Sequence, residues 1–568
     1  MFSRLIKVGF VVLAGLLLAA PLRGQYIPTH LSNTGIYEFM DELAALKVIE
    51  LNSAIKPYSR SLISEKLMMA AAHQDQLNAR QSSELAFYLK DYSGTPLKPT
   101  AYSLQPTAPN TQPETSWLWI NRPQDQRLHF FSYSDTIFRI TANPILGGNL
   151  WSNQHGTFHH WWNGVQTEAS YGKFALFASI RDNHESDYLT NRDFMNQRIG
   201  LSNYKGFSGT TKRDYWEIRG GITYEWNWGH IGLLMDQFSW GDAHHGSNIF
   251  SGRTPAFSRI DLQLDPAKWL RFNYVHGWLI SEVVDSTLSF WVNNSYGPDY
   301  REVYHPKFLA ANMFTFRPFP HLYVGVGNSV IYDYRSPHAA FFIPVMFWKP
   351  LDHTLNARIN NMNSQMFMTL SSRNLRGVHL YGSAFIDEVQ VGRIFRDGEY
   401  NFTSVKFGTS IIPAFIHRSA GNIKLIFEYT WSNSLVFRHN VPTTTFESNQ
   451  YNLGHFLEDN ARDIYAAVEF RPWRTLRLKA WYNFSEKGPD HTLLGTMPRT
   501  THTPLEPVVW ESERYGISAS MQIVHDLYLR LGYEIRTVTG EQEWIERWTP
   551  SVYQGETATL NIGLNYGF

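Results

Sequence analysis

The stretch Ala558-Thr-Leu-Asn-Ile-Gly-Leu-Asn-Tyr-Gly-Phe568 decides the fold. Ala558, Leu560, Ile562, Leu564, Tyr566 and Phe568 share one parity, and Thr559, Asn561, Gly563, Asn565 and Gly567 share the other. A strand turns successive side chains to opposite faces, so this segment is a two-faced ribbon, apolar on one side and polar or small on the other. One such ribbon suits any half-buried sheet; its weight comes from recurrence. The same alternation runs through residues 174–181, 423–431, 476–484, 515–523 and 527–536. From about Arg127 the apolar period is 2, and it stays so to the last residue.

Alternation fits a soluble sandwich, with its polar face in water, and equally a membrane barrel, with its apolar face in lipid. The connections separate the two. Short turns fall near Tyr171-Gly172, Asn227-Trp228, Asp265-Pro266, Arg317-Pro318, Arg373-Asn374, Ser419-Ala420, Pro472-Trp473 and His525-Asp526. Between them lie connections of about 15 to 30 residues, rich in Gly, Asn, Pro, Trp and His, the alternation of short periplasmic turns and long external loops found in outer-membrane barrels. Eight short turns and nine long connections predict a mainly β chain: a transmembrane antiparallel β-barrel of about 18 strands over residues 127–568. An even count puts both barrel ends on the periplasmic side, and the connections at 147–162, 182–213, 241–257 and 432–463 outside.

Upstream the period is helical. Ile36, Phe39, Met40, Leu43 and Leu46 form one stripe behind the capping candidates Ser32, Asn33 and Thr34. Ile63, Leu67, Ala70 and Ala71 form a second, and Leu85, Tyr88 and Leu89 a third. Residues 25–94 therefore read as a small periplasmic helical bundle, and the Pro-, Thr-, Ser- and Gln-rich residues 95–126 as a linker. Residues 1–24 read as a signal peptide: Arg4 and Lys7 precede an apolar run too short to span a bilayer, and cleavage is expected after Gly24.

Composition narrows the functions. Lys and Arg total 50 and so do Asp and Glu, which argues against nucleic acid as a partner. Cysteine is absent, which removes disulfides, thiol catalysis, thiolate-bound metals and a lipoprotein anchor. No later apolar run reaches the ~18 residues of a transmembrane helix. No Gly-x-Ser-x-Gly, His-Glu-x-x-His or phosphate loop occurs, so no catalytic residues, cofactor or resident metal are expected and the chain does not read as an enzyme.

The candidate binding residues are aromatic and imidazole groups. Trp151, His155, His159, His160, Trp161 and Trp162 crowd one expected external loop, where flat rings offer apolar faces to sugar C–H groups and His or Asn offers hydrogen bonds. The competing reading is an aromatic girdle at the membrane rim. Trp240, His244 and His245 join the glycan-contact candidates. His244 and His245 with Asp242 also carry metal-ligand chemistry, though neighbours in a strand diverge and a solvated loop is the plainer reading. Asp387 and Glu388 diverge for the same reason, so they form no acid pair. Lys424, Glu428, Arg477, Lys479, Arg530 and Asp387 are expected to form a charge network in the lumen.

Several segments resemble a known family. Ile36-Tyr-Glu-Phe39 through Leu43-Ala-Ala-Leu46, then Val48-Ile49, then Asn52-Ser-Ala-Ile-Lys-Pro-Tyr-Ser-Arg60, is similar to the N-terminal helical segment of the Wzi capsule-assembly family, with Lys47 where Gly is usual. Trp240-Gly-Asp-Ala-His-His-Gly246, Phe342-Ile-Pro344 and Leu380-Tyr-Gly-Ser-Ala-Phe-Ile-Asp387-Glu388 resemble its barrel landmarks. The resemblance implies an outer-membrane barrel that anchors or organises capsular polysaccharide at the cell surface, as a lectin and not as a catalyst. Its partners would be membrane lipid, surface polysaccharide and a periplasmic protein docking on the helical bundle. A porin-like channel and an adhesion or gliding-motility component remain as alternatives.

Overall fold

A computed structural model describes residues 26–92, 114–117 and 129–567, apart from breaks at 136, 202–203, 206–211, 296, 356–358, 396–400 and 492–502. The expected leader and most of the expected linker lie outside the described residues. Within that linker, Glu114–Trp117 pairs with Phe131–Ser134, which in turn pairs with the lower half of the first barrel strand.

Eighteen antiparallel strands close into a barrel. The first nine are β1 Phe138–Asn153, β2 Gly156–Tyr171, β3 Phe174–Ser186, β4 Lys212–Trp226, β5 Gly229–Asp236, β6 Phe257–Ala267, β7 Leu270–Val284, β8 Tyr304–Phe319 and β9 Leu322–Tyr332. The others are β10 Met362–Ser372, β11 Val378–Glu388, β12 Phe402–Ile411, β13 Ile423–Ser432, β14 Ala461–Trp473, β15 Leu476–Lys487, β16 Trp510–Val524, β17 Leu527–Gly540 and β18 Glu556–Tyr566. The alternating C-terminal stretch is the closing strand: β18 pairs with β17 on one side and with β1 on the other, from Leu560↔Ser152 to Tyr566↔Leu146. Its two faces have opposite fates. Leu560, Ile562 and Leu564 are 57, 46 and 49% exposed, whereas Thr559 and Asn565 are 3 and 5% exposed. Leu176, Phe427, Ile517 and Met521 likewise point out, and Lys424, Glu428 and Asn483 point in and are buried. A soluble fold would reverse this. So much outward apolar surface, at ~25 cal/mol per Å², is stable only where hydrocarbon replaces water. The barrel is built to span a membrane.

Eight connections gather at one end. Three lie two or three residues beyond the sequence reading. Asp265-Pro266, Arg317-Pro318 and Pro472-Trp473 sit inside β6, β8 and β14, each at a register shift, and the chain turns after them at Lys268-Trp269, Pro320-His321 and Arg474-Thr475. Proline lacks the ladder donor, so a bulge accommodates it within the strand.

At the opposite end, residues 147–162 are not a loop. β1 and β2 pair without a break from Phe138↔Tyr171 to Asn153↔Gly156. The glycines that suggested a loop make room across the ladder: a Cβ on Gly147 would lie 2.3 Å from the Trp162 ring. Other connections fold inward. Residues 237–256 and 433–460 bring Trp240, Phe250, Phe437, Phe446 and Leu453 into one core with inward Phe367 and Phe385.

The helical unit comprises α1 Thr34–Ala45, α2 Arg60–Ala71 and α3 Ala79–Tyr92. Ser59 caps α2 by accepting from the Leu62 N–H at 3.1 Å, whereas Asn33, before α1, makes no side-chain cap. The three stripes meet in a core of Phe39, Met40, Leu43, Ile63, Leu67 and Leu85 that also takes in Ile412 from the β12–β13 connection. The unit sits in the short-turn end of the barrel.

One connection takes a third course. Phe341 and Trp348, the latter opening α4 Trp348–Leu355, are fully buried against outward Phe272, Tyr274 and Tyr332 of β7 and β9. This strap covers polar residues at outward positions. Asn312 donates to the carbonyls of Pro344 and Met346 at 2.8 and 2.9 Å, and His276 bonds the Tyr332 hydroxyl at 2.7 Å.

Candidate functional site

The polar lumen wall and the helical unit meet in a charged seam. Asp41, on the face of α1 turned to the barrel, accepts from Arg373 and lies 3.5 Å from Lys424 Nζ, 3.6 Å from His379 Nδ1 and 3.7 Å from His244 Nε2. Burial alone would raise its carboxyl; Arg373, Lys424 and His379 outweigh that and hold it well below the usual carboxylate range. Glu38 of α1 pairs with Arg471 and, at 2.8 Å, with Arg477. Glu84 of α3 meets Arg471 at 3.5 Å and Arg80 at 2.6 Å.

A second junction ties the 237–256 connection to the wall. Glu428 of β13 accepts the backbone N–H groups of His244 and His245 at 2.6 and 2.9 Å and the Tyr381 hydroxyl, and pairs with Lys406 at 2.8 Å. The His245 ring lies flat on Tyr465, with centroids 4.0 Å apart. Burial, aided by Lys424, pushes the His244 imidazole down to about 4, so it is neutral at pH 7. These junctions fasten the helical unit and an inward loop to the barrel. Their acids are matched by cations. Glu458, Asp459 and Asp490 also converge, but Arg438 meets all three at 3.0–3.2 Å, so a cation already sits among them.

The aromatic group read as one platform is divided by its strand. Trp161 and His159 face outward. Trp161 is 45% exposed and stacks on His184 at 3.8 Å, the posture of a girdle residue. His160 and Trp162 face inward and are buried, with His160 Nε2 3.0 Å from Asn183 Oδ1. Trp151 also faces in, stacked on Phe158. Trp240, 2% exposed, packs in the lumen core beneath the inward loops. Of the lumen charges, Lys424, Glu428 and Arg477 join the contacts above, and Lys479 meets Glu469 at 3.5 Å. The Asp387 carbonyl accepts from Lys349 at 3.2 Å. Arg530 has no ion pair or hydrogen bond among the described residues.

The sequence reading passed over one element at the end opposite the short turns. Between β7 and β8 a separate hairpin, Phe290–Asn294 with Gly297–Arg301, projects from the barrel. Trp291 is 69% exposed and pairs with Tyr300, ring centroids 5.2 Å apart. Arg301 and Asp299 pair beside them at 3.0 Å. The signal was the Trp-Val-Asn-Asn run before a Gly-Pro pair, too short to stand out from the surrounding loop.

No protein-family model matches the chain, and no curated protein matches its sequence. Solved structures do. The chain is similar to Wzi of Escherichia coli, described as an outer-membrane protein involved in group 1 capsule assembly and a carbohydrate-binding β-barrel: 12% identity, 96% of this chain, 100% of that one, TM-score 0.55. OccAB2 of Acinetobacter baumannii matches at 9% identity over 75% of this chain and 97% of its own, TM-score 0.40. OpdK of Pseudomonas aeruginosa, solved with vanillate, matches at 9% identity over 75% and 98%, TM-score 0.40. The likeness to Wzi extends over the helices and the barrel together, and at this identity it is a likeness of fold.

Proposed function

We propose that this chain is an outer-membrane barrel that holds polysaccharide at the cell surface, as a non-catalytic lectin, with the helical unit in the periplasm and the hairpin ends outside. The observation that carries the reading is the combination of a lipid-facing barrel, a lumen filled by inward loops and a seated helical unit, and an external aromatic pair left bare. A chain that bars its own bore does its work at its outer end. The fold shared with Wzi, whose description names carbohydrate binding and capsule assembly, supports the same reading.

The Trp291–Tyr300 pair is the contact this reading puts first, with Trp161 as a second ring at the rim. Ring faces take up sugar C–H groups for about 1 kcal/mol each, and a repeating polymer multiplies such weak contacts into retention. Deleting the gene and staining polysaccharide on cells and in the medium tests the function. Polymer should be shed at unchanged total yield; unchanged attachment rejects the reading. Trp291→Ala should weaken polymer binding to the purified protein by roughly five- to tenfold.

A further inference from the structure

A cavity of about 160 Å³ lies between the helical unit and the barrel wall at the short-turn end. Its wall carries two inward rungs. Arg477, Ser520 and Arg530 stand side by side on β15, β16 and β17, and one step nearer the turns Gln522 pairs with Tyr528, next to Arg474. The outward neighbours Leu478, Met521 and Leu531 are exposed to lipid, so all six of these residues face the cavity.

Not every cation there has an acid beside it, and the cavity's further acid, Asp526, lies 3.5 Å from His525. Arg60 is matched by Asp91 and Glu168, Arg219 by Asp236, and Arg471 by Glu38 and Glu84. Arg477 is matched by Glu38, which it shares with Arg471. Arg474 meets no carboxylate among the described residues: it donates to the Gln522 side-chain oxygen and lies 4.2 Å over the Phe87 ring. Arg530 has neither ion pair nor hydrogen bond among the described residues. Two guanidinium groups thus face one polar cavity without an ion pair among the described residues. Residues two strands apart are about 10 Å apart at Cα, so Arg477 and Arg530 flank a gap that fits one carboxylate or phosphate, with Ser520 between them.

We infer that this cavity is a binding site for an oxyanion, carried either by an acidic sugar or by a phosphate. It stands apart from the external glycan contacts: it opens at the opposite end, and its chemistry is charge recognition, not ring stacking. Guanidinium groups suit it because their planar donors match both oxyanions in pairs.

The test uses the whole mature chain in detergent, titrated at constant ionic strength with glucuronate, inorganic phosphate and, as a neutral control, glucose. Saturable binding by calorimetry, with a matching rise in melting temperature, is expected for one or both oxyanions and not for glucose. Tighter binding of glucuronate identifies an acidic sugar as the ligand; tighter binding of phosphate identifies a phosphate. Arg530→Gln should weaken binding about tenfold or more, and Arg474→Gln likewise, while Arg530→Lys keeps part of it. Heat-modifiable gel migration verifies that each variant folds. Failure of both oxyanions to bind, or equal binding by the parent and a folded Arg530→Gln, overturns the proposal.

Discussion

At Lys47 the backbone adopts φ 62°, the left-handed conformation that glycine favours, so a lysine makes the turn after α1 in a glycine's geometry. The strain is about 1 kcal/mol, and the side chain offsets it by donating from Nζ to the Asn374 carbonyl at 2.6 Å, which ties the helix end to the β10–β11 turn. Lys47→Gly should therefore leave stability nearly unchanged, whereas Lys47→Ala keeps the strain, loses the tie and should cost about 1 kcal/mol in thermal melts. Arg373 is a larger matter. Arg373→Met leaves Asp41 buried beside fewer cations and should cost about 3–5 kcal/mol, visible as faster tryptic cleavage within the helical unit. His244 sets a pH limit. Its ring is held at about 4, against 6.5 for an ordinary histidine, so across that window the folded chain binds fewer protons than the unfolded one and stability falls as pH falls. The loss should approach 3 kcal/mol by pH 4 and shrink in His244→Gln, by melting curves at stepped pH. Asp41 acts lower: its contribution is intact above about pH 4 and disappears as pH drops through its depressed value.

Elements show what a sequence discloses and where it stops. The faces of β13, β15, β16, β17 and β18 were legible because a period of 2 reports inside and outside directly. The prolines misled because one residue type marks both a turn and a bulge, and only pairing tells them apart. The Trp161-Trp162 pair left two readings open because rim aromatics and loop aromatics have the same composition. Lys424 and Glu428 could be placed on the lumen face, but not their partners: Asp41 is 383 residues from Lys424, and no local pattern links them. Glu428 is the clasp of the 237–256 connection. Glu428→Gln keeps an acceptor for one N–H but leaves Lys406 without its counter-charge, so amide hydrogen exchange at His244 and His245 should quicken by about tenfold with the barrel ladder unchanged.

The whole molecule is a barrel closed from within, its helical unit pinned by Asp41, Glu38 and Glu84 and its inward loops by Glu428. In planar bilayers the intact chain should show no steady open state; a stable ohmic conductance would mean that the loops leave the bore in the membrane. The strap that crosses the outer side of β7, β8 and β9 bears on how such a wall is made. There Phe342, Ile343, Val345 and Phe347, 40 to 64% exposed, form an apolar keel outside the strands. Without that keel, His276, Asn312 and Asn328 would be stranded among hydrocarbon tails. The keel must therefore be laid against the sheet no later than the sheet enters the bilayer, and a chain shortened there should stall at the membrane surface while its eighteen strands keep every partner they need.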